Sequence, residues 1–310
     1  MLNLFLTTIF SVSLFVFFRV SPRFRINSFH AIVCNYFICT IIAVSLNDIK
    51  VIQQLDYTRN WILLSMLTGA MFPLSFYLMA LAIEKVNLSV AGVANKMSMV
   101  IPVTFNFMFL QIGARDMKAL NIIGICLALP AIFLASFKPS EDILMDKKTQ
   151  NHFILPLLVF LTAGIIDSLI NYISYYYLTS RTEQLLFPIF TFVAAALVGS
   201  LIVAGRALMK NESVNMRSVT GGIILGIPNF LSIFFMLKTL NDFNNDGAVV
   251  FPFLNITVII LTSLSGLIFF KEKLSRLNIA GIILALISIG LVFLNWELFL
   301  KQINSIYSDK

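Results

Sequence analysis

Long apolar runs separated by short polar breaks follow one another along the whole chain, and each run is about as long as a helix must be to cross the hydrocarbon layer, roughly twenty residues. Ten such windows can be laid down, at residues 2–18, 29–46, 61–83, 89–111, 118–137, 153–178, 186–205, 218–238, 247–269 and 276–296. The first, "MLNLFLTTIFSVSLFVFF", lacks a basic n-region and a small-residue cleavage site, so it reads as a retained span and not as a signal peptide. No stretch between windows is polar and long enough to fold as a soluble domain. The pattern predicts an all-α integral membrane protein with ten transmembrane helices.

The windows also repeat. "LNIIGICLALPAIFL" at 120–134 and "LNIAGIILALISIGL" at 277–291 agree at ten of fifteen positions without a gap, where roughly one to three matches are expected by chance. The same offset of 157 carries Gly69 onto Gly226, Ser75 onto Ser232, Met79 onto Met236, Ala91 onto Ala248 and Leu110 onto Leu267. Each half therefore holds five spans. Because five is odd, the second half enters the membrane from the opposite face, which predicts two inverted five-helix repeats. The expected organisation is a first repeat at 1–137, a connecting loop at 138–152, a second repeat at 153–296 and a polar C-terminal tail at 297–310. Inverted repeats enclose a cavity that either face can close, the architecture of alternating access.

Composition sharpens the class. Hydrophobic residues make up 59% of the 310 and charged residues 12%, against about one quarter charged in a soluble domain. Cys34, Cys39 and Cys126 all lie within apolar windows, an odd number without zinc or CxxC spacing, so packing is their expected role. The formal charge of +7 would suggest nucleic acid in a soluble protein. Here Lys and Arg sit in short loops, where their ordinary role is orientation, so the expected partner is the lipid bilayer of a plasma or inner membrane and not nucleic acid. Loops after odd-numbered spans collect Arg19, Arg23, Arg25, Lys85, Lys138, Lys147, Lys148, Arg206, Lys210, Arg217, Lys271, Lys273 and Arg276, thirteen of the 22 cations. That excess puts the odd loops in the cytoplasm and both termini outside.

The segment "SFYLMALAIEKVNLSVAGVANKMSMVIPVTF", followed by "LNIIGICLALPAIFL" and by the second-half copy "FFKEKLSRLNIAGIILALISIGLVFL", resembles the EamA-type ten-helix transporters of the drug/metabolite transporter superfamily. The resemblance covers the whole chain in span count and is most specific in the last two spans of each half. It implies a basket-like bundle and carriage of a small metabolite or drug. The family's Gly-Glu-basic-Leu-Ser loop motif is matched by Glu272, Lys273, Leu274 and Ser275, with Lys271 where the Gly would stand and, in the first half, Arg115 where the Glu would be. The family's fourth-span proline is matched by Pro102, with Ile259 in its place in the second half.

Ionisable groups inside spans cost about 2.5–3.5 kcal/mol near a helix centre and usually face a cavity or a partner. Two are clear: Lys96 in the fourth span and Asp167 in the sixth. Both spans run the same way, and their depths differ by roughly 9–11 Å at 1.5 Å per residue, so a direct pair is allowed without being required. Lys96 can meet an acidic or carbonyl-bearing substrate, partner Asp167 or a backbone carbonyl, or snorkel to the headgroups. Asp167 can bind substrate or a coupling ion, a proton included, or be a hydrogen-bonded helix contact. The offset places Phe253 opposite Lys96, so the lysine breaks the symmetry of the repeat.

Neutral polar and aromatic groups surround them: Asn95 and Asn106, then Asn171, Tyr172 and Tyr175, then His30 and Asn35, and Asn229 beside Pro228. Asp167, Asn171 and Tyr175 recur at every fourth position and share a helix face. Lys96, Asp167, Asn95, Asn171, Tyr175 and Asn229 are the expected binding set, although "YISYYYL" also fits an interfacial aromatic belt. His30 and His152, at span ends, are expected at the surface or as caps. Pro102, Pro188, Pro228 and Pro252 are expected to kink their helices. "GIILG" at 222–226, Ala195 with Gly199 and Gly281 with Ala285 are spaced for close helix contact.

The chain carries no Walker motif, so the expected function is secondary transport of a small organic metabolite, amino acid or drug, driven by a gradient or by exchange, with no cofactor. A flippase for a lipid-linked carrier is the alternative on the same fold. An integral-membrane enzyme would need clustered acids or a nucleophile with a base, and one deep carboxylate with two scattered histidines does not supply them.

Overall fold

The computed structural model describes residues 2–47, 58–105, 119–137, 151–178, 181–210, 214–243 and 247–292. Asn106, Leu110, Arg115, most of the connecting loop and the tail at 297–310 lie outside the described residues, as does the side chain of His152. The helices in chain order are α1 (Leu2–Val20), α2 (Ser28–Ser45), α3 (Asn60–Lys85), α4 (Leu88–Met97), α5 (Val100–Phe105), α6 (Ala119–Ser136), α7 (Asn151–Tyr176), α8 (Arg181–Lys210), α9 (Met216–Asp242), α10 (Gly247–Ile268) and α11 (Arg276–Val292). Among the described residues nine helical spans are long and apolar enough to cross a membrane, and α11 is a shorter apolar tenth. Large apolar side chains on the outer faces, Leu63, Leu201 and Ile41 among them, are more than half exposed. A bilayer solvates such a surface and water does not. The protein is a multi-pass integral membrane protein.

Side chains close the helix starts. Asn27 caps α2 by accepting from the N–H groups of Phe29 and His30, and Asn87 caps α4 by accepting from Val90. At α11 the Ser275 N–H and hydroxyl both lie 2.8 Å from Asn278 Oδ1, and the Asn278 N–H reaches back to Ser275 Oγ. These contacts satisfy N–H groups that the first helical turn leaves without partners.

The fourth window, 89–111, forms one span over Leu88–Phe105 as far as it is described, but its helix divides into α4 and α5 around Ser98 and Met99. Pro102 explains the place. A proline has no N–H to give the carbonyl four residues back, and its ring crowds that carbonyl, here Ser98. The prolines at 73, 130, 156, 188, 228 and 252 remain inside unbroken helices.

The helix contacts are reciprocal. Asn121 at the start of α6 donates to the carbonyls of Leu291 (3.1 Å) and Val292 (2.7 Å) at the end of α11. Asn278 at the start of α11 donates to the carbonyls of Leu134 (3.4 Å), Ala135 (2.6 Å) and Phe137 (2.8 Å) at the end of α6. The two helices are therefore antiparallel. Their crossing is close because Gly124 lies against Ser288 and Val292 and Gly281 lies against Ala135, where a Cβ would collide with backbone. The same exchange runs through the bundle: α1 packs on α9 as α7 packs on α3, α2 on α9 as α8 on α3, and α4 on α7 as α10 on α1.

Candidate functional site

The interruption between α4 and α5 builds the site. The residues leading into it carry the charge, with Asn95 and Lys96 in the last turn of α4 and Ser98 as its C-cap. Lys96 is about 12 Å from the α4 start, and Asp167 about 14 Å from the opposite end of α7, at 1.5 Å per residue. Both residues therefore lie two or more turns inside their spans. Lys96 and Asp167 are half-buried and interact electrostatically, without an ion-pair contact within 4 Å. Ser98, which the sequence reading passed over, joins Asp167 to the end of α4: its Oγ is 3.0 Å from Asp167 Oδ2 and 2.6 Å from the Asn95 carbonyl oxygen.

The hydroxyl of Ser98 has one hydrogen and two neighbours that want it. The Asn95 carbonyl can only accept. When Ser98 donates to it, the Asp167 contact is a hydrogen bond only if the carboxyl carries a proton; when Asp167 is ionised, it takes the Ser98 hydrogen and the Asn95 carbonyl loses its partner. The charge on Asp167 and the bonding at the end of α4 are thus coupled. Across the break, Asn255 of α10 contacts the Met99 sulfur through its Nδ2, so α4, α7 and α10 meet at the interruption.

The other expected residues divide. Asn171 is half-buried one turn beyond Asp167. Tyr175 is 56% exposed, with its ring 4.9 Å from that of Tyr176, which itself lies 4.9 Å from Tyr172. This group at the end of α7 has the character of an interfacial belt. Asn229 is buried at the contact of α2 with α9, where its Nδ2 donates to Asn35 Oδ1 at 3.1 Å beside Cys39. Its bonds go to α2 and not to the Lys96–Asp167 group. Gly222 and Gly226 allow that contact by lying against Cys34 and Ile38. His30, expected at the surface or as a cap, is instead buried, with both ring nitrogens lacking hydrogen-bond partners among the described residues.

A second polar cluster closes the bundle at the face of the odd loops. The Glu272 side chain, 2% exposed, accepts from the Leu88 N–H (2.7 Å), the Ser89 N–H (3.3 Å) and the Ser89 hydroxyl (2.8 Å), and lies 3.7 Å from Arg19. An anion is favoured at that helix start by the partial positive charge there. Arg19 also donates to the Ile83 carbonyl and lies over the Phe270 ring. The loop after α10 is thereby fastened to α1, α3 and α4. The motif around Glu272 was visible in the sequence; its target nearly two hundred residues away was not.

No protein-family model matches the chain. An uncharacterized protein of Haemophilus influenzae (strain ATCC 51907 / DSM 11121 / KW20 / Rd) is 27% identical over 294 residues, covering 93% of this chain and 96% of that one. A solved crystal structure aligns with 92% of this chain and 97% of its own at a TM-score of 0.52 and 12% identity, a likeness of fold alone. The chain is a multi-pass helical membrane protein, similar in sequence to the first over nearly its whole length and in fold to the second.

Proposed function

We propose that the protein is a secondary transporter that moves a small organic metabolite, amino acid or drug by alternating access between two inverted five-helix repeats, residues 1–137 and 153–296. The observation that carries this reading is the Lys96–Ser98–Asp167 group beside an interrupted helix in the middle of the bundle. Interrupted helices at mid-membrane are where carriers of this kind hold substrate and coupling ions. Support for the repeat comes from the reciprocal Asn121 and Asn278 bonds, whose antiparallel helices require matching elements of the two halves to run in opposite directions. In this reading Asp167 carries the coupling proton and Lys96 meets the substrate's acidic or carbonyl group. Glu272, holding α4 to α1 and α10, is the latch of the closed odd-loop face.

The test is solute flux in proteoliposomes, with and without a proton gradient, over a panel of metabolites, amino acids and drugs. We expect flux of at least one solute that rises with the gradient, and Asp167→Asn that inserts normally yet loses at least tenfold in rate. Movement of a lipid-linked carrier with no flux across the panel would replace this reading by the flippase.

A further inference from the structure

We propose that a cavity at the odd-loop face, away from the mid-membrane site, binds a phosphodiester headgroup that carries its own hydrogen-bond donor. The cavity, of about 340 Å³, lies where the α1–α2 connection meets the ends of α3 and α8, and its lining includes Arg25, Asn27, Phe29, Tyr77, Glu84 and Arg206. At about 30 Å³ per water it has room for about ten, the size of a phosphate with a small alcohol attached.

Three features set the ligand's chemistry. Arg206 lies over Phe29, its Cζ 4.5 Å from the ring centroid, and 5.7 Å from that of Tyr77. A cation–π contact does not use up the guanidinium's N–H donors, and their fork suits phosphate oxygens. No ion pair or side-chain hydrogen bond engages Arg206 or Arg25 among the described residues, although Glu84 lines the same cavity. Two guanidiniums and one carboxylate leave one net positive charge, which matches the single negative charge of a phosphodiester. Glu84 can then accept from a hydroxyl or ammonium on the headgroup. The two rings that would receive a quaternary ammonium are already covered by Arg206, so choline is disfavoured.

The position favours a lipid as source. Arg206 is one turn from the end of its span, with Leu208 and Met209 almost fully exposed beyond it, and Phe24, next in the chain to the lining residue Arg25, is 62% exposed. Basic pockets between helices at this depth meet headgroups.

The experiment is native mass spectrometry of the full-length protein in detergent with short-chain phosphatidylglycerol, phosphatidylethanolamine or phosphatidylcholine, competed by soluble glycerophosphoglycerol. We expect the first two lipids to bind about tenfold more tightly than phosphatidylcholine, and Arg206→Gln and Arg25→Asn each to weaken them about tenfold, one charge-assisted contact apiece. Arg23→Gln, a charge lost outside the cavity, leaves binding unchanged. Arg25→Asn guards against misfolding, because Arg25 is exposed and its φ of 54° suits asparagine. Competition by glycerophosphoglycerol would show that the headgroup suffices, whereas its failure would assign the site to intact lipid. Unchanged phosphatidylglycerol binding in both pocket variants, or equal binding of phosphatidylcholine, overturns the proposal.

Discussion

At the scale of single residues, the loop before α11 holds a side chain in a backbone conformation that most residues avoid. Lys271 has a φ of 51°, in the left-handed region that glycine occupies freely. A side chain there costs about 1 kcal/mol. Lys271→Gly is therefore expected to raise stability by about 0.5–1 kcal/mol, read as a higher unfolding midpoint in detergent; no change would mean that Lys271 makes a compensating contact. Asp167 and Lys96 stood out in the sequence because charge in an apolar window is costly. Ser98 did not, because a serine in a span costs little by itself and matters here only through the two oxygens that compete for its hydrogen.

At the scale of elements, window lengths predicted helix positions to within a few residues, since hydropathy and span length are local properties. Which proline would break its helix was not local. Pro228 and Pro252 sit in continuous helices, whereas Pro102 coincides with the α4–α5 interruption. The physical difference is the surroundings: the side chains at the break are held by other helices, the Ser98 hydroxyl by Asp167 and the Met99 sulfur by Asn255, and the Ser98 carbonyl accepts from the Ile101 N–H. Pro102→Ala should let the helix run through. The expected outcome is slower amide exchange across residues 98–105 together with loss of transport; unchanged exchange would show that tertiary contacts alone hold the break.

At the scale of the whole molecule, the α6–α11 crossing joins the two halves. Asn121 and Asn278 occupy equivalent positions and each donates to carbonyls at the far end of the other helix, so the interhelical part of the loss in Asn121→Ala and Asn278→Ala should be similar, about 1–2 kcal/mol each given several interhelical bonds of about 0.6 kcal/mol. Markedly unequal losses in chemical denaturation would argue against a common role. Glu272→Gln keeps the shape of the latch and removes its charge from Arg19 and the α4 start. It is expected to lose about 2 kcal/mol of stability and to increase labelling of cysteines placed on the odd-loop face. Labelling at the wild-type level would deny Glu272 a part in closure.

The sequence by itself determined the membrane class, the spans, the likeness of residues 120–134 to 277–291 and the two costly charges. Each follows from chain-local quantities, the apolar length needed to cross a bilayer, the similarity of one stretch to another and the cost of an ion in hydrocarbon. The tertiary structure decided which polar groups meet. It sent Asn229 to Asn35, drew Ser98 to Asp167, buried His30 and carried Glu272 to the start of α4. Those outcomes depend on helix rotation and crossing, which hydropathy does not encode when every face of a span is apolar enough for lipid.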